Sequence, residues 1–104
     1  MNRMQYDEDS DSLYVTISAK PAYLTAEISP RIGVDVTAEG RPVGVEILEA
    51  SKVVSDLLQR KVERSEVKRL LCRINEDDAI YLNFTLGSEH AALALPKAYK
   101  SPIL

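Results

Sequence analysis

Two carboxylates, Asp35 and Glu46, stand in neighbouring segments that alternate apolar and polar residues. Carboxylates held close together take different pKa values, so that one serves as a general acid and the other as a base. Such a pair would support a hydrolase or a small-ligand site. A simpler interpretation places both side chains on the solvent face of a half-buried sheet. We therefore keep the Asp35/Glu46 site as an alternative and predict no catalytic residues.

Few other groups could support catalysis or bind metal. The acidic run at residues 7–11 resembles the start of a calcium loop, but Ser12 and Ser18 stand where that loop needs glycine and glutamate. His90 lies in a predicted turn, and Cys72, the single cysteine, is expected to be a buried free thiol. No phosphate-binding loop, dinucleotide fingerprint or nucleophile motif is present. We predict a non-catalytic protein without metal or cofactor.

Basic residues are concentrated in the second half of the chain. Residues 1–49 carry four basic and nine acidic groups (−5) and residues 50–104 carry nine and seven (+2), which together give the net charge of −3. A dipolar molecule of this kind can associate head to tail or meet an acidic partner. The candidate contacts to nucleic acid or an acidic partner are Arg60, Lys61, Arg64, Lys68, Arg69 and Arg73.

Nucleic-acid binding through the stretch 60–73 is an alternative function, because a row of Lys and Arg neutralises phosphates. Acidic residues interrupt this stretch, however, and no aromatic side chain within it could stack on bases. A solvated or partner-facing surface is the simpler interpretation.

The elements that must position these residues are mostly strands. Four segments of the first half alternate apolar and polar residues, at 13–18, 23–28, 31–36 and 43–48, and short turns between them predict antiparallel pairing. Ser51 is a suitable N-cap for an amphipathic helix at about 52–61, which would cover one face of the sheet.

The second half predicts further strands. Residues 65–74 fit either a helix or a strand, and we prefer the strand because 79–86 alternates clearly after a polar turn. A last strand at 91–95 ends at Pro96, and the tail from Lys97 to Leu104 is expected to be an exposed or partner-clasping arm. The prediction is an α+β fold in one domain, with an antiparallel sheet of about six or seven short strands and one packed helix.

Composition places the chain among ordinary globular proteins, with 45% hydrophobic and 28% charged residues. The N-terminus has no apolar stretch like that of a secretory signal, and no apolar run approaches the roughly 20 residues that span a bilayer. We expect a cytoplasmic protein with no membrane partner.

Several segments together resemble the bacterial and archaeal family known as domain of unknown function 2283, over about residues 4–54. They are Tyr6-Asp7, Asp11 to Val15, Gly33 to Val36 and Gly40 to Ser51. The resemblance supports the strand assignments and implies a prokaryotic origin. It supplies no reaction and no catalytic residues. Members of such small families are sometimes encoded next to small toxin-like proteins, which would make an antitoxin-like regulatory binding role conceivable.

The most direct interpretation of the sequence is a non-catalytic protein-binding or self-associating module. A small open sheet leaves backbone groups unpaired at its edges, and a symmetric partner can cover them while it enlarges the core. We therefore expect a homo-oligomer, a dimer or larger.

Overall fold

The chain folds into short antiparallel strands with two helices, as a computed structural model describes for residues 3–99. The α+β class with antiparallel strands, predicted above, is confirmed. The elements are β1 (Met4–Asp7), β2 (Ser12–Thr16), β3 (Leu24–Ser29), β4 (Ile32–Val36), β5 (Pro42–Ile47), α1 (Ala50–Leu58), α2 (Arg64–Val67), β6 (Leu71–Glu76), β7 (Ile80–Leu86) and β8 (Glu89–Leu95).

The strands form two sheets where the sequence suggested one. Five strands pair in the order β1-β2-β5-β4-β3, and three pair in the order β6-β7-β8. The two helices separate β5 from β6 along the chain, so the last three strands pair with each other and not with the first five. Strand β1 was missed because only Met4 and Tyr6 alternate inward, which is too short a pattern to recognise.

One core joins both sheets and both helices. Each strand of the larger sheet turns alternate apolar side chains inward, Val15, Val34 and Val45 being fully buried. In β7 the same alternation buries Ile80, Leu82, Phe84 and Leu86. Val54 of α1 and Val67 of α2 close the core from the side. We call the face of each sheet that points away from this core its outer face.

Helix α1 lies two to three residues closer to the N-terminus than predicted. It begins at Ala50, so Ser51 is its second residue and not its cap, and the residue before the helix is Glu49. It ends early because Gln59 takes a left-handed conformation and its N–H bonds the Ser55 carbonyl. The ambiguous stretch 65–74 contains both predicted alternatives, since α2 precedes β6 there.

The C-terminal part of the described chain returns to the larger sheet. The Tyr99 N–H donates a 2.7 Å hydrogen bond to the Gly40 carbonyl, so the predicted arm is attached at this point. The rest of that arm, residues 100–104, lies outside the described residues. Within residues 3–99, no helix is long and apolar enough to cross a membrane.

Gly44 in β5 leaves room for a tyrosine on the outer face of the larger sheet. A methyl group at Gly44 would overlap the phenol of Tyr14, which donates a 2.8 Å hydrogen bond to Asp35. The missing side chain therefore fixes where the ring lies.

We predict that Gly44→Ala destabilises the fold by about 1–3 kcal/mol, because the new methyl group must displace the ring and break its bond to Asp35. Urea unfolding measures the loss. In the Tyr14→Ala background the same change should cost less than about 0.5 kcal/mol, since the obstacle is gone. An equal cost in both backgrounds would refute this explanation.

Candidate functional site

The carboxylates of Asp35 and Glu46 lie on the outer face of the larger sheet and are diagonal neighbours. Glu46 stands opposite Gly33, and Asp35 stands opposite Gly44. Both Asp35 oxygens are occupied, by hydrogen bonds from Tyr14 at 2.8 Å and from the Thr25 hydroxyl at 2.6 Å. The arrangement resembles a hydrogen-bonded surface network.

The chemistry open to this network is limited. Burial, the hydrogen bond to Asp35 and the charges of Asp35 and Glu46 raise the pKa of Tyr14 to about 12, so its phenol stays protonated at neutral pH. A shallow cavity of about 270 Å³ borders Tyr14 and Glu46, and Asp35 is not part of its lining. This cavity is therefore not a cleft that the two carboxylates of the hydrolase alternative share.

The basic residues of the stretch 60–73 are mostly engaged within the chain. Two of the six, Arg69 and Arg73, have no ion-pair partner among residues 3–99. The other four form ion pairs: Arg60 with Glu66 and Glu89, Lys61 with Glu63, Arg64 with Asp11, and Lys68 with Glu8. Because these charges are already partly neutralised, the stretch has less free positive charge for binding phosphates than its composition indicates.

Contacts within the fold account for three further side chains that could support chemistry, those of Cys72, His90 and Asp7. Cys72 is half-buried against the core, and burial raises the pKa of its thiol to about 11, which keeps it protonated at neutral pH. His90 lies within β8 and not in the predicted turn, with Nδ1 3.3 Å from the Thr85 hydroxyl. Asp7 accepts bonds from the Asp9 N–H and the Ser10 hydroxyl. Within residues 3–99, no three His, Cys, Asp or Glu side chains are grouped to hold a metal ion.

Strand β3 forms an open edge of the larger sheet. It pairs with β4 on one side only. The N–H of Tyr23, just before the strand, donates to the Val36 carbonyl at 2.7 Å. The Arg31 carbonyl accepts from the Leu48 N–H, so Arg31 faces β5, and alternation along β4 turns the backbone groups of Val34 and Val36 toward β3. Their ladder partners Ala26 and Leu24 therefore face β4, and the N–H and C=O groups of Thr25 and Glu27 point away from it.

Apolar surface accompanies this edge. Leu24 and Ala26 are only half-buried, and Ile28 is 43% exposed. Ile28 is the extra residue of a bulge, because Glu27 pairs with Gly33 and Ser29 with Ile32. A cavity of about 310 Å³ runs along the strand, lined by residues 23–27, the turn that follows β4, and Tyr99.

A buried carboxylate joins the β1–β2 turn to the start of α1. Asp11 is 3% exposed, and its backbone takes a left-handed conformation with φ of 54°. Oδ1 accepts bonds from the Ser51 N–H at 3.0 Å and the Tyr6 hydroxyl at 2.6 Å, and Oδ2 accepts the Ser51 hydroxyl at 2.6 Å. Its carbonyl accepts the Ala50 N–H, and the Arg64 guanidinium lies 3.8 Å from Oδ2.

These contacts lie almost entirely within the segments that carried the family resemblance. Residues 3–51 match the family model described as protein of unknown function (DUF2283). The predicted resemblance is thereby confirmed. No curated protein and no solved structure matches the chain.

Within the residues that match this family model, Tyr6, Asp11 and Ser51 act together as a helix cap. The first N–H groups of a helix have no partner inside it, and a carboxylate there also complements the helix dipole. Glu49, the residue before α1, makes no side-chain cap, so Asp11 performs this role from 40 residues earlier. Sequence reasoning found Ser51 as a helix-start residue but could not identify its distant partner.

The cap controls the protonation of Asp11. Burial alone would raise the pKa of this carboxyl, but the hydrogen bonds from Ser51 and Tyr6 and the charge of Arg64 outweigh burial and lower it. In return, burial and the hydrogen bond to Asp11 raise the pKa of Tyr6. The Asp11 carboxylate is therefore charged, and its role is to hold the structure together. The groups of Tyr6 and Ser51 that donate to it belong to the same chain.

We predict that Asp11→Asn lowers the free energy of unfolding at pH 7 by about 2 kcal/mol, because it removes the charge that caps α1 and leaves one donor poorly satisfied. Urea unfolding followed by circular dichroism measures the change. Asp9→Asn, in the same turn, is the matched control and should stay within about 0.5 kcal/mol of the parent. Equal losses in both variants would contradict the capping role.

The same pair of variants gives a pH prediction. A carboxyl whose pKa is lower in the folded protein contributes stability above its unfolded pKa of about 4 and loses it as the pH falls through the folded pKa. The parent and Asp9→Asn should therefore lose stability on acidification below about pH 5, and Asp11→Asn should lose less. If the three curves of unfolding free energy against pH run parallel, the Asp11 carboxylate is not responsible.

Proposed function

We propose that this protein is a non-catalytic protein-binding module that receives an extended strand of a partner along the edge of β3. The observation that supports this function is an open edge strand with outward backbone groups, beside an apolar cavity. Addition of a strand to an exposed sheet edge is a common mode of peptide recognition, in which the backbone gives affinity and alternate side chains give specificity.

The backbone of β3 suits this role. The outward N–H and C=O groups of Thr25 and Glu27 are a template for a ladder of hydrogen bonds. The only charged side chain of the strand is Glu27, which lies on the outer face opposite Gly33 and does not block the edge. By comparison, the open strand β6 carries Arg73 and Glu76, and β8 lies against α1.

The side chains of β3 suit it as well. In an added strand, every second residue would point to the inner side of the sheet, where Leu24, Ala26 and the cavity lie. The cavity, of about 310 Å³, is at the lower end of the sizes of ligand sites, and it has room for one or two aliphatic side chains. We therefore expect a partner segment with apolar residues at alternate positions.

Two earlier alternatives remain predictions with less support. Nucleic-acid binding would depend mainly on Arg69 and Arg73, since the other four basic candidates are paired within the chain. An antitoxin-like role would be a biological use of protein binding, and no contact in the structure identifies a toxin as the partner.

We predict that Glu27→Pro abolishes partner binding while the protein stays folded, because the Glu27 N–H points away from β4. Proline removes the outward N–H and places its ring where the added strand would pair, yet it is tolerated on the solvent side of an edge strand. Tagged protein is used to capture partners from the native lysate after nuclease treatment, and bound proteins, including untagged copies of the chain, are quantified. Recovery should fall at least about tenfold.

Glu27→Ala is the matched control, because it removes the carboxylate but keeps the N–H. It should retain the partners that Glu27→Pro loses, with circular dichroism showing that both variants are folded. Partners that bind the two variants equally would overturn strand addition at β3, and partners lost on nuclease treatment would favour the nucleic-acid alternative.

A further inference from the structure

Strand β3 is complementary to itself when two copies run antiparallel. Its inward side chains are Leu24, Ala26 and Ile28, at alternate positions, and the central one is the smallest. Near one end of the strand, Leu24 borders the cavity, while at the other end Ile28 is exposed and has no opposite residue in β4. A cavity and a projecting apolar side chain therefore lie on either side of one small residue.

We propose that the strand received by β3 is the β3 of a second copy, paired antiparallel about a twofold axis at Ala26, with Ile28 of each copy in the cavity of the other. This inference rests on the proposed function and names its partner. Such a contact is isologous, because the same strand serves both sides, and it closes as a dimer.

The backbone agrees with this register. Thr25 and Glu27 direct their backbone groups outward, so with Ala26 on the axis each Thr25 pairs with Glu27 of the second copy, and the two Ala26 residues face each other as a pair without hydrogen bonds. Each Thr25–Glu27 pair can exchange two hydrogen bonds, about four in all. The two larger sheets would then continue into one another across the axis, and the outward groups of both edge strands would be satisfied.

Charge agrees as well. With Ala26 at the axis, Glu27 lies opposite Thr25 of the second copy and not opposite the other Glu27. Each glutamate therefore faces a neutral residue. The hydroxyl of that residue, Thr25, donates to Asp35 at 2.6 Å. Like charges directly opposite each other in a ladder would be destabilising, and this register avoids them.

The apolar contact provides the specificity. Leu24, Ala26, Val36 and Tyr99 supply apolar lining of the cavity, against which a β-branched side chain from the second copy would pack. In the alternative register, with Thr25 at the axis, Glu27 would face Tyr23 of the second copy and Ile28 would extend past the cavity. The fit of Ile28 therefore distinguishes the two registers.

Cysteine cross-linking tests the register. In a Cys72→Ser background, Ala26→Cys should form a disulfide-linked dimer under mild oxidation, because opposite Cα atoms in a ladder lie about 4.5–5.5 Å apart, within the range that a disulfide spans. Thr25→Cys, in the same background, is the matched control and should cross-link at least about tenfold more slowly. Faster cross-linking of Thr25→Cys would overturn the proposed register.

Sedimentation equilibrium tests the apolar contact. The parent should be a dimer at tens of micromolar, Ile28→Ala should raise the dissociation constant at least about tenfold, and Leu71→Ala should leave it unchanged. Leu71 is the matched control because it is an apolar residue, 66% exposed, on the other sheet. Equal effects of the two substitutions would overturn the inference.

The outcomes separate this inference from the proposed function. A monomeric parent would overturn pairing with a second copy; if Glu27→Pro still lost a different protein partner, strand addition itself would stand. A dimer that persists in Glu27→Pro and does not cross-link through residue 26 would overturn both.

Discussion

The fold of this protein depends on one buried carboxylate. Asp11 lies in the β1–β2 turn, where β1, the start of α1 and the start of α2 converge. Tyr6 and Ser51 donate hydrogen bonds to it, and Arg64 forms an ion pair with it. A charge removed from water is tolerated only when it is paired and hydrogen-bonded, so its partners must be correctly placed together. This constraint fixes α1 against the larger sheet and thereby the side from which the core is closed.

The same constraint explains why the basic stretch is less available than its composition indicates. Arg64 reaches back to Asp11 and to the Glu8 and Asp9 carbonyls, and Lys68 pairs with Glu8 at 2.7 Å. The acidic turn and the basic stretch, which look in the sequence like two separate sites, are two sides of one internal contact. Charge patterns along a chain overstate free charge wherever the fold brings opposite patterns together.

The sequence predicted what is local and missed what is distant. Alternation identified β2 to β5 and β7, because a half-buried strand must alternate its side chains. It could not identify β1, whose pattern is two residues long, nor the division into two sheets, which depends on tertiary pairing. Among the candidate sites, the position of Asp35 on an outer face followed from the period of two, whereas the link between Asp11 and Ser51 spans 40 residues and has no local signal.

The edge of β3 is protected at its two ends and open between them. Proteins usually guard an edge with inward charges, with bulges that twist the strand away, or with prolines. Here Pro21 and Pro30 limit the strand at both ends, and the bulge moves Ile28 out of register with β4. Between these limits no charge points to the inner side, and apolar side chains border a cavity. The prolines and the bulge therefore define the length and register of a strand that can be added, and they leave the edge between them open for pairing.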